Sequence, residues 1–139
     1  MKPKQIIIIA GVIIGIVVVG LIFLKVFQPA SRSVDKINPD FTLSSTTLVS
    51  EFENDEKMAN SLYLDKIIEV SGTIANISDD GSVVVVTLRE PESLSGVLCS
   101  FDKNYISMEK MSLGTKVTIK GICTGYLLDV VLTKCALVE

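Results

Sequence analysis

The sequence contains no histidine and only three cysteines, Cys99, Cys123 and Cys135. Zinc sites are usually built from Cys and His in close pairs such as C-x2-C, and the spacings here are 24 and 12 residues. We therefore expect no metal and no cofactor. The lack of histidine also removes the commonest general base. Because the sequence shows no nucleophile near a base and no phosphate-binding loop, it predicts a protein that is not an enzyme.

Acidic residues are present, but their spacing is not that of a calcium-binding or catalytic site. Asp79-Asp80-Gly81 is far from a calcium-binding loop, which needs several oxygens at tight spacing. Glu90, Glu92 and Asp129 could form a catalytic carboxylate pair only in a pocket that raises one pKa, and nothing in the sequence indicates such a pocket. We expect these acids to be solvated surface residues.

Positive charge is scarce outside the N-terminus. Residues 40–139 contain eight Lys and Arg against fifteen Asp and Glu, a net charge of −7. Proteins that bind nucleic acids usually carry a basic stripe. The acidic balance therefore disfavours nucleic acid as the partner of this part of the chain, although folding could still gather a local basic patch.

Charge is absent altogether from residues 6–24, which are mostly Ile, Val and Leu. As a helix this run would span roughly the ~30 Å hydrocarbon core of a bilayer. A cleaved signal peptide usually has a shorter apolar region and a small-x-small site, whereas only Ser31-Arg32-Ser33 follows here. No cysteine precedes Cys99, so the sequence offers no residue for N-terminal lipid modification. We expect an uncleaved, single-pass membrane anchor.

The anchor sets the predicted organisation of the chain: residues 1–27 form the anchor, 28–44 a linker, and 45–139 a helix plus a barrel domain. Basic residues on the two sides of the anchor nearly balance, so charge alone does not orient it. A short N-terminal tail before a long domain is typical of a signal anchor, and we expect the C-terminal domain outside the cytoplasm. Gly11 and Gly15 could form a helix-packing face, although glycine is common in membrane spans.

The remaining chain predicts a helix over Thr46–Leu62, then a change to strand periodicity. Ser45 or Thr46 can cap this helix, and its apolar stripe is either core-facing or a groove for a partner helix. The expected strands and a second, short helix are, in order, Lys66–Ile77, Ser82–Arg89, Gly96–Phe101, the helix Asn104–Met111, Thr115–Cys123 and Asp129–Val138. Gly72 suits a bulge or bend in the first strand.

Five strands with a helix between the third and fourth is the order of the OB fold, a small Greek-key barrel. Closure of the barrel would remove the exposed edges of five short strands. The predicted fold class is therefore all-β with accessory helices: a five-stranded OB-fold barrel, preceded by one helix and an N-terminal transmembrane helix.

A set of residues within 46–138 also matches a known pattern. Its first half is Phe52-Glu53-Asn54, Ala59, Tyr63, Lys66 and Val70-x-Gly72. Its second half is Val97-x-Cys99-x-Phe101, Leu113-x-x-Lys116-Val117-x-Ile119-Lys120-Gly121, Cys123-x-Gly125 and Asp129-Val130-x-Leu132-x-x-Cys135. This pattern resembles the bacterial tRNA_anti-like family. The resemblance implies an OB fold and nucleic-acid binding as the suspected role, with many membrane-attached or exported members and no catalytic residues.

The cysteines have two interpretations. All three fall on inward-facing positions of the predicted strands, so they could be small buried hydrophobic residues. Alternatively two of them form a disulfide, and of the three pairings we favour Cys123–Cys135, which frames the last hairpin. A tight turn near Tyr126 would place Cys123 opposite about Val130, too far from Cys135, so this bridge requires an offset hairpin.

Ligands of OB folds usually lie across the second and third strands, between the loops after the first and fourth. In those places the sequence offers one aromatic residue, Tyr126, and one basic residue, Arg89. Tyr126 could equally cover the turn. These two residues are the predicted ligand-binding positions.

Together these features predict a membrane-anchored, non-enzymatic binding module whose ligand is a protein or a small molecule of the cell envelope. One alternative is single-stranded DNA or RNA, as the resemblance implies. A second alternative is a structural subunit of a membrane assembly, with Gly11 and Gly15 in helix packing.

Overall fold

The computed structural model describes residues 2–26 and 34–138, which fall into two separate units divided after residue 31. The first unit is one helix, α1 (Pro3–Val26). Its segment Pro3–Ile22 is long and apolar enough to cross a membrane, and none of it is buried inside the protein. This helix of 24 residues is about 36 Å long. It contains all of residues 6–24, so the predicted continuous apolar helix is confirmed.

The barrel is built from β2 (Ile67–Asp79), β3 (Val83–Leu88), β4 (Val97–Asp102), β5 (Lys116–Tyr126) and β6 (Val130–Leu137). β2 pairs with β3, β3 with β4, β4 with β6, β6 with β5, and β5 again with β2. All of these pairs are antiparallel except β4–β6, which is parallel. The predicted closed five-stranded OB barrel is confirmed.

A sixth strand, β1 (Phe41–Ser44), joins the barrel from the predicted linker 28–44. It runs parallel to β2, with Phe41 opposite Ile68 and Ser44 opposite Ser71. β3 covers this edge of β2 only from Ile74 onward, so β1 fills the edge that β3 leaves open. A 3-10 turn at Val34–Lys36 also packs on the domain, and Val34 is buried. The folded domain thus includes the second half of that segment.

Two short helices replace the predicted helix over Thr46–Leu62. α2 (Ser45–Asn54) is capped by Ser44, whose hydroxyl accepts a hydrogen bond from the Thr47 amide at 3.1 Å. α3 (Glu56–Tyr63) is capped by Asp55, whose carboxylate accepts from the Met58 amide at 2.9 Å. Asp55 also ends α2: its amide donates the last helical hydrogen bond, to the Glu51 carbonyl at 3.1 Å, and its own backbone (φ −154°, ψ 88°) is not helical. The prediction of one continuous helix capped by Ser45 or Thr46 was wrong, because Asp55 offers its neighbours a competing cap.

The segment between β4 and β5 also differs from the predicted helix over Asn104–Met111. It consists of two 3-10 turns, Lys103–Tyr105 and Met108–Lys110. Met111 is nevertheless buried against the barrel core, as expected for a side chain that plugs one end of a barrel.

Gly72 allows α2 to lie close against β2. A Cβ atom at this position would lie 2.4 Å from Oγ of Ser45 and 3.2 Å from Cβ of Leu88. The bulge itself is at Ala75, where the β2–β3 register shifts between Ile74 and Asn76. α2 therefore covers one end of the barrel, and Leu48 and Phe52 enter the core that the inward side chains of all five barrel strands form.

Candidate ligand-binding surface

The outward side chains of β3, β4 and the start of β6 form one uncharged surface, which we call the strand face. Burial alternates along β4, at the start of β6 and over the first four residues of β3, with Val84, Cys99 and Leu132 turned inward. The ladders place Val85 opposite Ser100, Thr87 opposite Leu98, and Leu98 opposite Val131, so the outward neighbours are contiguous. The strand face consists of Val83, Val85, Leu98, Ser100 and Val131, which are exposed or half-buried, together with Thr87, which is only 6% exposed.

Two loops at one end of the strand face carry highly exposed leucines. The β3–β4 and β5–β6 loops are tied together because the Gly96 amide donates to Oδ1 of Asp129 at 2.6 Å and the Val130 amide donates to the Gly96 carbonyl at 3.0 Å. Leu94 is 95% exposed, Leu127 87% and Leu128 80%. Hydrogen-bonded loops therefore hold three apolar side chains in solvent.

An open groove of about 640 Å³ adjoins this end of the barrel. Its apolar lining comes from α3, β5, β6 and the turn between the last two strands. The lining residues are Asn60, Leu64, Thr124, Gly125, Tyr126, Leu127 and Val131. Val131 belongs to both the strand face and the groove, so the two surfaces are continuous.

Tyr126 lies in the lining of this groove, but one face of its ring is already covered. The ring stacks on Phe52 of α2 with centroids 5.6 Å apart and an interplanar angle of 23°. A base that stacked on Tyr126 could therefore use only the other face. This packing is in keeping with the alternative given in the sequence analysis, in which the Tyr126 side chain covers the turn.

Arg89 lies elsewhere, in a separate cavity of about 90 Å³ between the start of α2 and the β3–β4 loop. The lining of this cavity also includes two acidic residues, Glu53 and Glu90, and four serines: Ser45, Ser50, Ser93 and Ser95. Within residues 2–26 and 34–138, no hydrogen bond or ion pair of the Arg89 side chain is present. The structure does not place Arg89 and Tyr126 in one cavity, so the two predicted ligand-binding residues do not form a joint site.

The acids of the β2–β3 turn hold the turn together. Oδ1 of Asp80 accepts from the amides of Ser82 (3.0 Å) and Val83 (2.9 Å), and these bonds hold the Asp80 pKa below its usual value. Oδ2 of Asp79 lies 2.7 Å from Nζ of Lys103, and this contact, with the Gly81 amide, lowers the pKa of Asp79. The turn therefore presents negative charge beside the strand face.

The three cysteines are free thiols, and the predicted Cys123–Cys135 bridge is not formed in this structure. Cys123 lies opposite Leu132 in the β5–β6 ladder. Burial raises the pKa of Cys99 and of Cys123, which keeps both in the thiol form at neutral pH. Among the described residues, no group of three or more Cys, Asp or Glu side chains is placed to hold a metal ion.

Sequence reasoning missed the strand face, although the signal was present. In the run SVVVVTLR, valines occupy both the inward positions 84 and 86 and the outward positions 83 and 85. In a strand with one solvated face, every second residue is usually polar. Apolar residues on the outward set are therefore the local feature that could have indicated this surface.

Comparison with solved structures finds matches of unequal strength. A lipoprotein from Klebsiella pneumoniae, for which nucleic-acid binding has been suggested, superposes with a TM-score of 0.60 at 24% identity, over 81% of this chain and 100% of its own. The yeast Stn1–Ten1 structure gives a TM-score of 0.46 at 13% identity over 81% of this chain and 70% of that chain. Asparaginyl-tRNA synthetase from Pyrococcus horikoshii gives 0.40 at 15% identity, over 55% of this chain and only 20% of the synthetase. The likeness to the Klebsiella lipoprotein shows a shared fold alone.

No curated protein matches the sequence. The model of one protein family, described as tRNA_anti-like, matches residues 1–137. This match covers nearly the whole chain, confirms the resemblance to this family, and agrees with the OB barrel observed. The chain belongs to the tRNA_anti-like family.

Proposed function

We propose that this protein is a non-enzymatic binding module that α1 tethers to a membrane, and that its barrel binds a protein on the strand face and the adjoining groove. The observation that carries the proposal is the chemistry of this surface. OB folds usually bind across these strands, and here Val83, Val85, Leu98 and Val131 replace the expected aromatic and basic residues. Continuous exposed apolar patches commonly mark protein interaction sites.

The exposed leucines support the same proposal. Leu127 lines the groove, Leu128 follows it in the same loop, and hydrogen bonds to Gly96 hold this loop in place. A preformed surface binds with a smaller loss of conformational entropy than a flexible one. Such leucines would fill pockets on a partner protein, where buried apolar anchors provide much of the binding energy.

Single-stranded nucleic acid is the second candidate, because family membership and the description of the Klebsiella lipoprotein favour it. Proteins of this kind combine a positively charged groove with aromatic stacking platforms. The strand face has neither: its residues are uncharged, the adjacent turn carries Asp79 and Asp80, and Tyr126 is partly covered by Phe52. The charge of the domain therefore favours the protein ligand.

The membrane tether rests on the length and composition of α1. We place the barrel outside the cytoplasm by analogy with the Klebsiella protein, which is described as a lipoprotein. A protein ligand would then be an envelope or surface protein.

A site-specific photo-cross-link tests the binding surface. A photoreactive amino acid at Val85 in the full chain, activated in native membranes, should yield one discrete product with a second protein. The same probe at Glu109, which is exposed on a 3-10 turn away from these strands, should not yield that product.

A matched pair of variants makes this test specific. Leu127→Asp should abolish the Val85 product, whereas Leu113→Asp, which also charges an exposed leucine, should leave it intact. Circular dichroism verifies that both variants fold. A product that forms equally from Val85 and Glu109, or that survives Leu127→Asp, would contradict the proposed surface.

A further inference from the structure

Cys99 and Cys135 belong to neighbouring strands of the barrel. β4 and β6 form the parallel pair, in which Cys99 lies opposite Leu132. Cys99 is fully buried and turned inward. Cys135 is three residues beyond Leu132 on β6 and only partly buried against the same core. In a regular strand these two side chains would be too far apart to meet, because each residue advances about 3.3 Å.

A bulge in β6 changes that geometry. The β5–β6 ladder passes from Lys120 opposite Ala136 to Ile122 opposite Thr133, so Lys134 and Cys135 together face the single residue Gly121. Lys134 has a φ of 52°, in the left-handed region that non-glycine residues seldom adopt. Bulges shorten the advance of a strand and redirect side chains.

The redirected Cys135 side chain lies over Gly121. Its Sγ atom would be 2.6 Å from a Cβ atom at position 121, so the thiol occupies the space that a larger residue would fill. The same Cβ position lies 3.1 Å from Cβ of Leu132, the residue opposite Cys99, so the bulge brings the Cys135 sulfur back beside Leu132 and toward Cys99. After burial, the neighbouring Cys135 side chain is the next cause that raises the pKa of Cys99. Cys123 is separated from Cys99 by one strand, because Leu132 of β6 lies opposite both cysteines in its two ladders.

We propose that Cys99 and Cys135 are the site of an oxidative modification, an intrachain disulfide that links β4 to β6 and leaves Cys123 free. The bridge would join the two strands of the parallel pair, whose ladder contains only three residue pairs, Val97–Val130, Leu98–Val131 and Cys99–Leu132. The disulfide would thus link β4 and β6, which share fewer residue pairs than any other two paired strands of the barrel.

The reaction is a thiol–disulfide exchange with an external disulfide such as oxidised glutathione. Cys135, the more exposed of the pair, loses its proton, and its thiolate attacks one sulfur of the oxidant, which releases one thiolate. The Cys99 thiolate, formed when its proton leaves, then attacks the Cys135 sulfur and releases the second thiolate. The two cysteines are oxidised by two electrons, and the oxidant's disulfide is reduced to two thiols.

Tryptic mapping of the full chain tests this proposal. The purified protein in neutral detergent is incubated with oxidised glutathione, blocked with a maleimide after denaturation, and digested without reduction. Cleavage after lysine and arginine places Cys99, Cys123 and Cys135 in the separate peptides 90–103, 121–134 and 135–139. The expected result is a cross-link between 90–103 and 135–139, with Cys123 carrying the maleimide.

Single variants give the matched controls. Cys123→Ser should keep the cross-link, and Cys135→Ser and Cys99→Ser should each abolish it. Oxidation should also raise the melting temperature of the parent and of Cys123→Ser by on the order of 10 °C and that of Cys135→Ser not at all. A cross-link that contains Cys123, or maleimide on all three cysteines after oxidation of the folded parent, would overturn the proposal.

Discussion

Lys120 is buried in the barrel wall although its side chain carries a positive charge. It is only 7% exposed, and its ammonium group donates hydrogen bonds to the main-chain carbonyls of Asp35 (3.1 Å) and Ile37 (2.8 Å). These bonds hold the segment that precedes β1 against β5. A buried charge with satisfied hydrogen bonds is stable, whereas unpaired buried carbonyls are costly.

We therefore expect Lys120→Met to lower the free energy of unfolding by about 1–3 kcal/mol. The matched control is Lys116→Met on the same strand, because Lys116 is exposed and its loss should change stability by less than about 0.5 kcal/mol. Urea denaturation of both variants makes the comparison. Equal stabilities would show that Lys120 does not hold the N-terminal segment.

Tyr63 is the other residue whose environment has a measurable consequence. Burial, followed by the hydrogen bond that its hydroxyl donates to Oε2 of Glu51, raises its pKa to about 12 from the ordinary value of 10.0. Because the folded-state pKa exceeds the unfolded-state value, the stabilising contribution is complete below pH 10 and is lost between pH 10 and about pH 12.

A spectroscopic titration checks this sign. The tyrosinate absorbance of the folded parent should show a step near pH 12 that is absent in Tyr63→Phe. In the same variant, the decline in stability over that pH window should be smaller than in the parent. An unchanged absorbance titration in Tyr63→Phe would contradict the assigned environment.

At the scale of elements, the boundary between α2 and α3 depends on Asp55. Asp55 is the C-terminal cap of α2, where its backbone is not helical, and its carboxylate caps the N-terminus of α3. We expect Asp55→Ala to lower the free energy of unfolding by about 1 kcal/mol, the usual effect of losing an N-cap. Asp55→Asn keeps an accepting oxygen and should lose much less. Thermal denaturation measures both, and an Ala variant as stable as the Asn variant would refute the capping role.

The elements that sequence predicted correctly were those with a local signal. β2 and β4 to β6 were indicated by alternation and turn residues, and β3 by its run of valines; the barrel followed from their order. β1 was missed because Phe41-Thr42-Leu43 is only a short alternation, and its place beside Ile68 depends on an edge of β2 that β3 leaves open. The break at Asp55 was missed because helical periodicity continues through it.

The candidate site was less predictable because packing between elements, rather than local sequence, determines it. Tyr126 and Arg89 were chosen from strand order, but the packing of α2 on the barrel decides that Phe52 covers Tyr126 and that Arg89 lines a separate cavity. The relation of Cys135 to Cys99 depends on a bulge at Lys134, which alternation alone does not reveal.

At the scale of the whole molecule, the proposed membrane tether can be tested by the location of the barrel domain. If this domain lies outside the cytoplasm, as proposed, an external protease should degrade it in intact cells from which any outer barrier has been removed. A cytoplasmic marker protein must stay intact as the control. Protection of the barrel until the membrane is dissolved would place it inside the cell.

The nature of the ligand is the central claim, and a titration with single-stranded oligonucleotide tests it most directly. The full chain in neutral detergent is titrated into a labelled strand of about 16 nucleotides at about 20 mM salt, where phosphate attraction is strongest. An acidic domain with an uncharged strand face should leave the fluorescence anisotropy unchanged up to about 100 μM protein. Binding in this range that weakens steadily as salt increases would contradict a protein ligand and identify nucleic acid instead.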